Sequence, residues 1–438
     1  MNISSKQTSG FFGLDIPSEE DLYKCVHCGL CLNVCPTYLQ TGKETESPRG
    51  RIAFMKAVTE GRLPITQRVS SHWDSCLACR ACEAACPSGV PYGQLIEDTR
   101  AQLLSQGKIT WRQRVLTIVF LHWLLPNLAL LRVQARLIFL YQKSGLRWML
   151  RMSRLLKILP GNLYSLDAQM PTLSSRFFGP SDILHKAAGR SKLKVGLLSG
   201  CVMPLIQSNT MEAAIRVLQR NGCDVVIPQN QGCCGALNVH SGDLEMARRM
   251  AKRNIDVFLD AGVEKIVTVS AGCGSVMKEY NNLIKNDIDY VEKSRRFGAI
   301  VVDITELLCD LPFRPPESRL NMRVTYQDPC HLVHAQRNAE SPRRLLRSIH
   351  GLEFVEMENS DICCGAAGLF TLTQRKMSLS LLADKMQSIL DTGCNTVATA
   401  NPGCMIQLEG GFIQEGSAGS VVHVIDLLDR AYRLDDLS

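Results

Sequence analysis

In the second half of the chain, short apolar runs alternate with longer stretches whose apolar residues recur at helical spacing. KVGLLSGC, ending at Cys201, reads as a buried strand, and TMEAAIRVLQRNG as a helix that stops at Gly222. CDVVIP is a second strand, DLEMARRMAKRNIDVFLDAG a second helix, and EKIVTVSAGC a third strand ending at Cys273. The order then recurs in RVTYQDPC to Cys330, the strand-like LEFVEM, the helix MSLSLLADKMQSILDTG and the strand NTVATANPGC to Cys404. Strands alternating with helices predict parallel sheets with helices on their faces, a duplicated α/β architecture.

The middle of the chain is patterned differently. Val115 to Leu131 is apolar for seventeen residues but contains His122, Pro126 and Asn127. That is too short and too interrupted for one membrane span, and predicts two helices broken near Pro126. No Asp or Glu occurs from Ala101 to Leu166, while Lys108, Arg112, Arg114, Arg132, Arg136, Lys143, Arg147, Arg151, Arg154 and Lys157 do. Basic residues beside Leu and Trp suit a helix lying on an anionic membrane face, so peripheral membrane contact through residues 106–158 is one expectation. Docking on the protein's own core or on an acidic partner is the other. The formal net charge of +7 is concentrated here, and no aromatic–basic motif points to nucleic acid.

The cysteines carry the chemistry. Cys201, Cys233, Cys234 and Cys273 recur as Cys330, Cys363, Cys364 and Cys404, at offsets of 129 to 131 residues. Ligands of open parallel sheets collect beyond the carboxyl ends of the strands. Each copy is therefore expected to gather four sulfurs at one edge. Gly200, Gly235, Gly272, Gly274, Gly365 and Gly403 would let the backbone approach a bulky inorganic centre. Metal or cluster ligation is the reading preferred over a redox dithiol, a disulfide or a buried apolar thiol. Cys223, Cys309 and Cys394 have no counterpart in the other copy and read as small hydrophobes.

Near the N-terminus, Cys25, Cys28, Cys31 and Cys35 precede Pro36, and Cys76, Cys79, Cys82 and Cys86 precede Pro87. Both read C-x2-C-x2-C-x3-C-P, the ligand run of a two-cluster ferredoxin, in which the fourth cysteine serves the other cluster. Cys25, Cys28, Cys31 and Cys86 are thus expected to hold one [4Fe–4S] cluster, and Cys76, Cys79, Cys82 and Cys35 the other. Zinc ribbons space their cysteines differently. The start MNISSKQTSGFF does not read as an export signal, so the 19 thiols are expected to stay reduced in the cytoplasm. The expected organisation is an α+β ferredoxin-like domain (1–105), a basic helical connector (106–190) and two α/β cysteine-rich domains (191–320 and 321–438).

The repeated cysteines resemble the CCG cysteine-rich domain of heterodisulfide reductases and their relatives, in which a Cys and a CC pair are followed by C-x2-C. Ser270 and Asn401 stand where the first cysteine of that last pair belongs. Each site so keeps four thiolates, enough for a cubane and one short of the five-cysteine noncubane cluster of that family. The order of parts, with CVHCGLCLNVCPTYLQTGKETESPRGRI, SCLACRACEAACPSGVPYG and DPCHLVHAQR, is similar to the glycolate oxidase iron–sulfur subunit family. That resemblance implies an electron-transfer subunit without a catalytic site of its own. It implies flavin-bearing partner subunits that oxidise glycolate, a quinone acceptor, and a place at the inner face of the cytoplasmic membrane. Related subunits serve lactate utilisation and anaerobic glycerol-3-phosphate oxidation, and a thiol–disulfide reductase or a zinc-bearing scaffold are further alternatives. His331 and His334, beside Cys330, are candidate donors to a cluster sulfur or a quinone oxygen. Ser47 and Pro48 read as N-cap and first helical residue. Arg49 and Arg51 either raise a cluster's potential or cap a neighbouring loop.

Overall fold

The computed structural model describes residues 10–153, 167 and 170–437, with the Arg112 side chain excepted. The chain forms two compact units: Met1–His122 with Ala236–Ala247 and Gly365–Leu381, and Trp123–Gly235 with Arg248–Cys364 and Leu382–Ser438.

The second unit holds two four-stranded sheets. In the first, β1 (Leu193–Leu197), β2 (Cys223–Val226), β3 (Lys265–Thr268) and β4 (Val301–Asp303) lie in the order β2-β1-β3-β4. In the second, β5 (Met322–Tyr326), β6 (Leu352–Val355), β7 (Thr396–Thr399) and β8 (Ser420–His423) lie in the order β6-β5-β7-β8. Every pairing is parallel. β4 and β8 are not legible in the apolar runs. They are three and four residues long and lead directly into the helices Ile304–Asp310 and Val424–Asp435.

The crossover helices carry an apolar stripe into the sheets. Helix Ser208–Arg220 buries Met211, Ala214, Val217 and Leu218, and the chain then turns at Gly222 with φ of +87°. One core joins the copies: Val195, Leu197 and Val267 of the first share a cluster with Val324, Tyr326, Leu427 and Leu428 of the second. Polar contacts reinforce the seam. Arg216 donates two bonds of 2.8 Å to the Asp429 carboxylate, and Thr210 Oγ1 donates to Asp426 Oδ2 at 3.0 Å.

The first unit is built round Phe11, Ile52, Met55, Val58, Trp73, Leu95 and Ile96. Ser47 caps helix Pro48–Thr59 by accepting from Gly50 N, and Pro48 opens it, as the sequence suggests. The ferredoxin-like region differs from its α+β expectation in one respect. Among the described residues no strand is assigned before β1. The cysteine loops instead turn through left-handed residues, which an extended strand excludes. The segment 236–247 packs on helix Tyr92–Ser105. Arg100 Nη1 donates to His240 O at 2.7 Å, and Gly242, with φ of +83°, lies so close that a Cβ would fall 2.4 Å from the Arg100 carbonyl carbon.

The connector breaks where expected. Helix Trp111–Leu116 continues into a widened turn, Thr117–Leu124, and a new helix, Leu128–Lys143, starts after Pro126 with Asn127 capping Leu130 N at 3.1 Å. No single helix among the described residues is long and apolar enough to cross a membrane, although the two halves of this broken pair pass that test together. Leu131, Ala135, Ile138 and Phe139 pack on Leu173 and Leu205, while Leu130, Val133, Leu137 and Leu140 are exposed. Arg154 and Lys157 lie outside the described residues.

The seam yields a pH prediction. His423 is fully buried; its Nε2 lies 3.1 Å from Val269 O in the other copy and its Nδ1 accepts from Ile425 N at 3.1 Å. Those partners require the neutral ring with the proton on Nε2, and burial holds its pKa down at about 4. The unfolded chain binds a proton, near the ordinary value of 6.5, that the folded chain refuses. This contribution is therefore fully present above that value and is lost as pH falls through it towards 4. Urea-unfolding free energies of wild type and His423→Gln are expected to converge across that window.

Candidate metal centres

The two N-terminal cysteine loops share an unusual backbone. His27 (φ +56°) and Gly29 (φ +90°) in the first match Ala78 (φ +53°) and Arg80 (φ +64°) in the second, at the same steps after the leading cysteine. Left-handed residues among right-handed ones turn successive N–H groups towards one side, the concave nest that suits anions and iron–sulfur centres. Three of these four residues are not glycine, so the conformation costs free energy and persists because the surroundings hold it.

Cys25, Cys28, Cys31, Cys82 and Cys86 line one cavity, with Pro48, Ile52, Val90 and Tyr92 among its apolar walls. It contains about 440 Å³ of empty space, part of it open to solvent. Cys28 is the exposed member of the set. Cys35, Cys76, Cys79 and Cys82 are all buried, and the Cys82 thiol is pushed well up by burial and then by Cys79, Cys76 and Cys35 beside it. The structure thus brings sulfurs of both runs together, with Cys82 on the wall shared with Cys25, Cys28, Cys31 and Cys86. Four converging thiols suit an iron–sulfur cluster. A bound cationic centre would displace their protons.

Arg51 ties this second set together. It is 1% exposed and donates to Thr37 Oγ1 (3.1 Å), Ser75 Oγ (2.9 Å), His72 O (2.6 Å) and Glu46 Oε2 (3.0 Å). These partners flank Cys35 on one side and Cys76 on the other, so Arg51 clamps two loops and places a buried cation near both sulfurs. Arg49, in the first turn of helix Pro48–Thr59, is part-buried and donates to His27 O at 3.0 Å and to Glu44. Two contacts on the sulfurs were not legible in the sequence: Tyr92 OH to Cys76 Sγ at 3.7 Å, and Thr37 Oγ1 to Cys35 Sγ at 3.3 Å. Behind Cys76, Arg100 donates to its carbonyl at 2.6 Å. Nearby, Glu97 Oε1 and His240 Nδ1 meet at 2.8 Å. Burial pushes Glu97 up to about 7 and His240 down to about 3.

In each sheet the chain goes one way from its first strand and then crosses to the other side. The crevice between β1 and β3, and between β5 and β7, is where ligands bind in such sheets. Cys201 follows β1, Cys273 follows β3, and the CCG loop follows β2. The cysteines lie further along than the sequence suggests. β1 ends at Leu197 and β3 at Thr268, and Cys273 and Cys404 sit in the first turns of the helices Ala271–Lys278 and Pro402–Gln414. Gly274 is required beside Cys273, since a Cβ would fall 2.6 Å from Thr268 Oγ1.

The four sulfurs of each copy form a contiguous group. Cys201 and Cys233 lie 3.3 Å apart, Cys233 adjoins Cys234, and Cys234 bonds Cys273. Cys330, Cys363, Cys364 and Cys404 repeat that sequence of contacts. Contact with a neighbouring thiol, Cys233 for Cys201 and Cys234, Cys330 for Cys363 and Cys364 for Cys404, and then burial push these four well above the ordinary thiol range, while Cys201, Cys234 and the Gly235 N–H make Cys233 the favoured seat of negative charge. Asn254 Nδ2 holds Cys233 O at 3.0 Å and Tyr280 OH holds Cys234 O at 2.7 Å.

Ser270 and Asn401 meet each other. Ser270 Oγ and Gly272 N both donate to Asn401 Oδ1 at 3.2 Å, and Asn401 Nδ2 lies 3.5 Å from Cys404 Sγ. Ala271 N donates to Ala400 O at 3.1 Å, so the two sites back onto one seam. His331 belongs to that seam: a Cβ on Gly272 would lie 3.8 Å from its Nδ1. His334 Nε2 instead lies 3.2 Å from Asp361 O, and burial draws its pKa down. Among the described residues no three His, Cys, Asp or Glu side chains are spaced to hold a single metal ion.

Residues 21–90 match the 4Fe-4S dicluster domain, residues 195–278 and 324–409 each match the cysteine-rich domain, and residues 112–170 match the glycolate oxidase iron–sulfur subunit linker region. A probable glycolate oxidase iron–sulfur subunit of Bacillus subtilis is 40% identical over 420 residues, covering 94% of each chain. The chain belongs to the glycolate oxidase iron–sulfur subunit family. The glycolate oxidase iron–sulfur subunit of Escherichia coli is 33% identical over 422 residues, 95% of each chain. Lactate utilization protein A of Geobacillus thermodenitrificans is 29% identical over 238 residues, 99% of that protein but 54% of this chain. Like its family, the chain is an iron–sulfur electron-transfer subunit of an oxidoreductase.

Arg51→Met leaves Glu46 and several loop acceptors without their buried donor. It is expected to destabilise the first unit by about 3–5 kcal/mol in denaturant unfolding. Arg51→Lys should recover little, since a single ammonium cannot span four acceptors on two loops.

Proposed function

We propose that this chain is the electron conduit of a membrane-associated glycolate dehydrogenase complex, taking electrons from flavin-bearing partner subunits and passing them towards quinone. The observation that supports this reading is the repeated spacing of sixteen cysteines, with the thiols of each CCG copy in contact and those of the two N-terminal runs gathered together. Cys25, Cys28, Cys31 and Cys86 would hold one [4Fe–4S] cluster and Cys35, Cys76, Cys79 and Cys82 a second. Each CCG set, Cys201, Cys233, Cys234, Cys273 and Cys330, Cys363, Cys364, Cys404, would hold a further cluster. Bound clusters supply one-electron steps that divide the two-electron output of a flavin. The chain excludes water, donates to the sulfurs from Tyr92 and Asn401, and sets the charge around each site. Cys28, exposed at the first set, marks the side on which an electron donor can approach closely.

The connector supports the membrane part of the reading. Leu130, Val133, Leu137 and Leu140 form one exposed face of helix Leu128–Lys143, and Trp148, Met149 and Met152 are exposed on the next helix, Leu146–Met152. Asp167 takes Arg147 and Arg151, while Arg132, Arg136 and Lys143 have no carboxylate partner among the described residues. An apolar face flanked by such cations suits the headgroup region of an anionic bilayer. The 3.3 Å contact of Cys201 with Cys233 keeps a dithiol role for the CCG sets as the second reading.

Anaerobic purification with iron and sulfide analysis separates these readings. Two cubanes give about 8 Fe per chain, and filled CCG sets raise the value towards about 16. A value near 8 with titratable CCG thiols favours the dithiol. Deleting the subunit should abolish glycolate-dependent quinone reduction in membranes, with lactate and glycerol-3-phosphate as comparison substrates; survival of the glycolate activity refutes the substrate assignment. The purified chain is expected to float with anionic vesicles and not with zwitterionic ones, and Leu137→Glu to weaken that binding about tenfold or more.

A further inference from the structure

The two CCG sites share a framework and differ in buried charge. Helices Leu244–Asp260 and Arg375–Asp391 occupy the same place in their copies, so Asn254 in the first corresponds to Lys385 in the second. Asn254 is neutral, and its amide bridges Gly232 N (2.8 Å) and Cys233 O (3.0 Å). Lys385 is 2% exposed, and its Nζ donates to Asn359 O at 2.5 Å and Ser360 O at 3.2 Å. Among the described residues no carboxylate pairs with it. Burial pulls its pKa below the ordinary value, and the adjacent Cys364 and Cys363, once anionic, act to keep it charged.

The other charges near this site do not cancel that ammonium. Asp328 is the buried carboxylate, and Arg343 takes both its oxygens at 2.8 and 2.7 Å. Glu356 also sits on Arg343 and is half-exposed, and Asp361 is exposed. In the first copy the nearby cation, Arg253, is exposed and bonded to Asn230 O. A second asymmetry has the same sign. Asn401 Nδ2 donates to Cys404 Sγ, whereas its counterpart Ser270 directs its hydroxyl to Asn401 and not to Cys273.

Reduction adds a negative charge to a site, and a buried cation or a hydrogen bond to sulfur stabilises the reduced form more than the oxidised one. We propose that Lys385, with Asn401, holds the second CCG site at a higher reduction potential than the first, so that electrons run from the Cys201 set to the Cys330 set. This rests on the reading that both sets hold clusters. The step moves one electron, oxidising the first site and reducing the second, and breaks no bond. Lys385 is a positioning residue for charge, set apart from the ligands themselves.

The test is a redox titration of the anaerobically purified full-length chain, followed by electron paramagnetic resonance. Cys273→Ser and Cys404→Ser identify which signal belongs to which site. In Lys385→Gln, with iron content unchanged, the reduced fraction of the second site at fixed ambient potential is expected to fall about tenfold, equivalent to about 59 mV for one electron. Lys385→Arg should restore it. If Lys385→Gln loses iron, Asn254→Lys decides: transplanting the charge should raise the potential of the first site. Unmoved potentials in iron-replete variants overturn the proposal while leaving the cluster reading intact. Wild type with only about 8 Fe overturns the cluster reading itself and the proposal with it.

Discussion

Everything in this molecule depends on holding several thiols against one another away from water. A buried thiolate is costly alone, and four together repel, so the protein must impose the grouping with its fold and let a bound centre relieve it. Two solutions coexist in one chain. Near the N-terminus, left-handed residues at matching steps shape each cysteine run, and Cys25, Cys28 and Cys31 share a cavity with Cys82 and Cys86 of the other run. In the CCG copies, the strand order places a crevice beside the first strand of each sheet. Cysteines from three separate connections then meet there.

The polar side chains nearest the sulfurs divide into two kinds. Some hold backbone in place, as Asn254, Tyr280, Arg51 and Arg100 do by bonding carbonyls of the cysteine loops. Others reach sulfur itself, as Tyr92, Thr37 and Asn401 do. The first kind fixes where a ligand stands. The second, together with buried cations, changes how much extra electron density the site tolerates. Where Ser270 and Asn401 replace cysteines of the related pattern, the gap is closed by a hydrogen bond between the two copies, and neither residue is left as a stranded polar group.

Much of this was legible from residues alone. The duplicated cysteine spacing located both CCG copies, and apolar runs located six of the eight strands, because fully buried parallel strands read as continuous Val, Ile and Leu. β4 and β8 escaped because three or four residues feeding straight into a helix give no separate signal. The cysteines were placed a few residues early, since an apolar run does not show where pairing stops and a helical turn begins. Among the described residues no strand precedes β1, and loop residues such as Ala78 and Arg80 adopt positive φ, which their identities do not announce. Tyr92 and Lys385 were out of reach: each acts across a gap in sequence that only the fold closes. Lys385 had one available clue, its alignment with Asn254 at the repeat offset.

The make-up of the first unit has a consequence for how the protein is made. Its core residues appear early in translation, yet it is completed by Ala236–Ala247 and Gly365–Leu381, the segments that directly follow each CCG motif. A ribosome must therefore deliver nearly nine-tenths of the chain before the unit emerging first can close. Until those segments emerge, the first unit lacks the surface that Ala236–Ala247 lays on helix Tyr92–Ser105 through His240 and Arg100, so completion of the part synthesised first is tied to the folding of the last third of the chain.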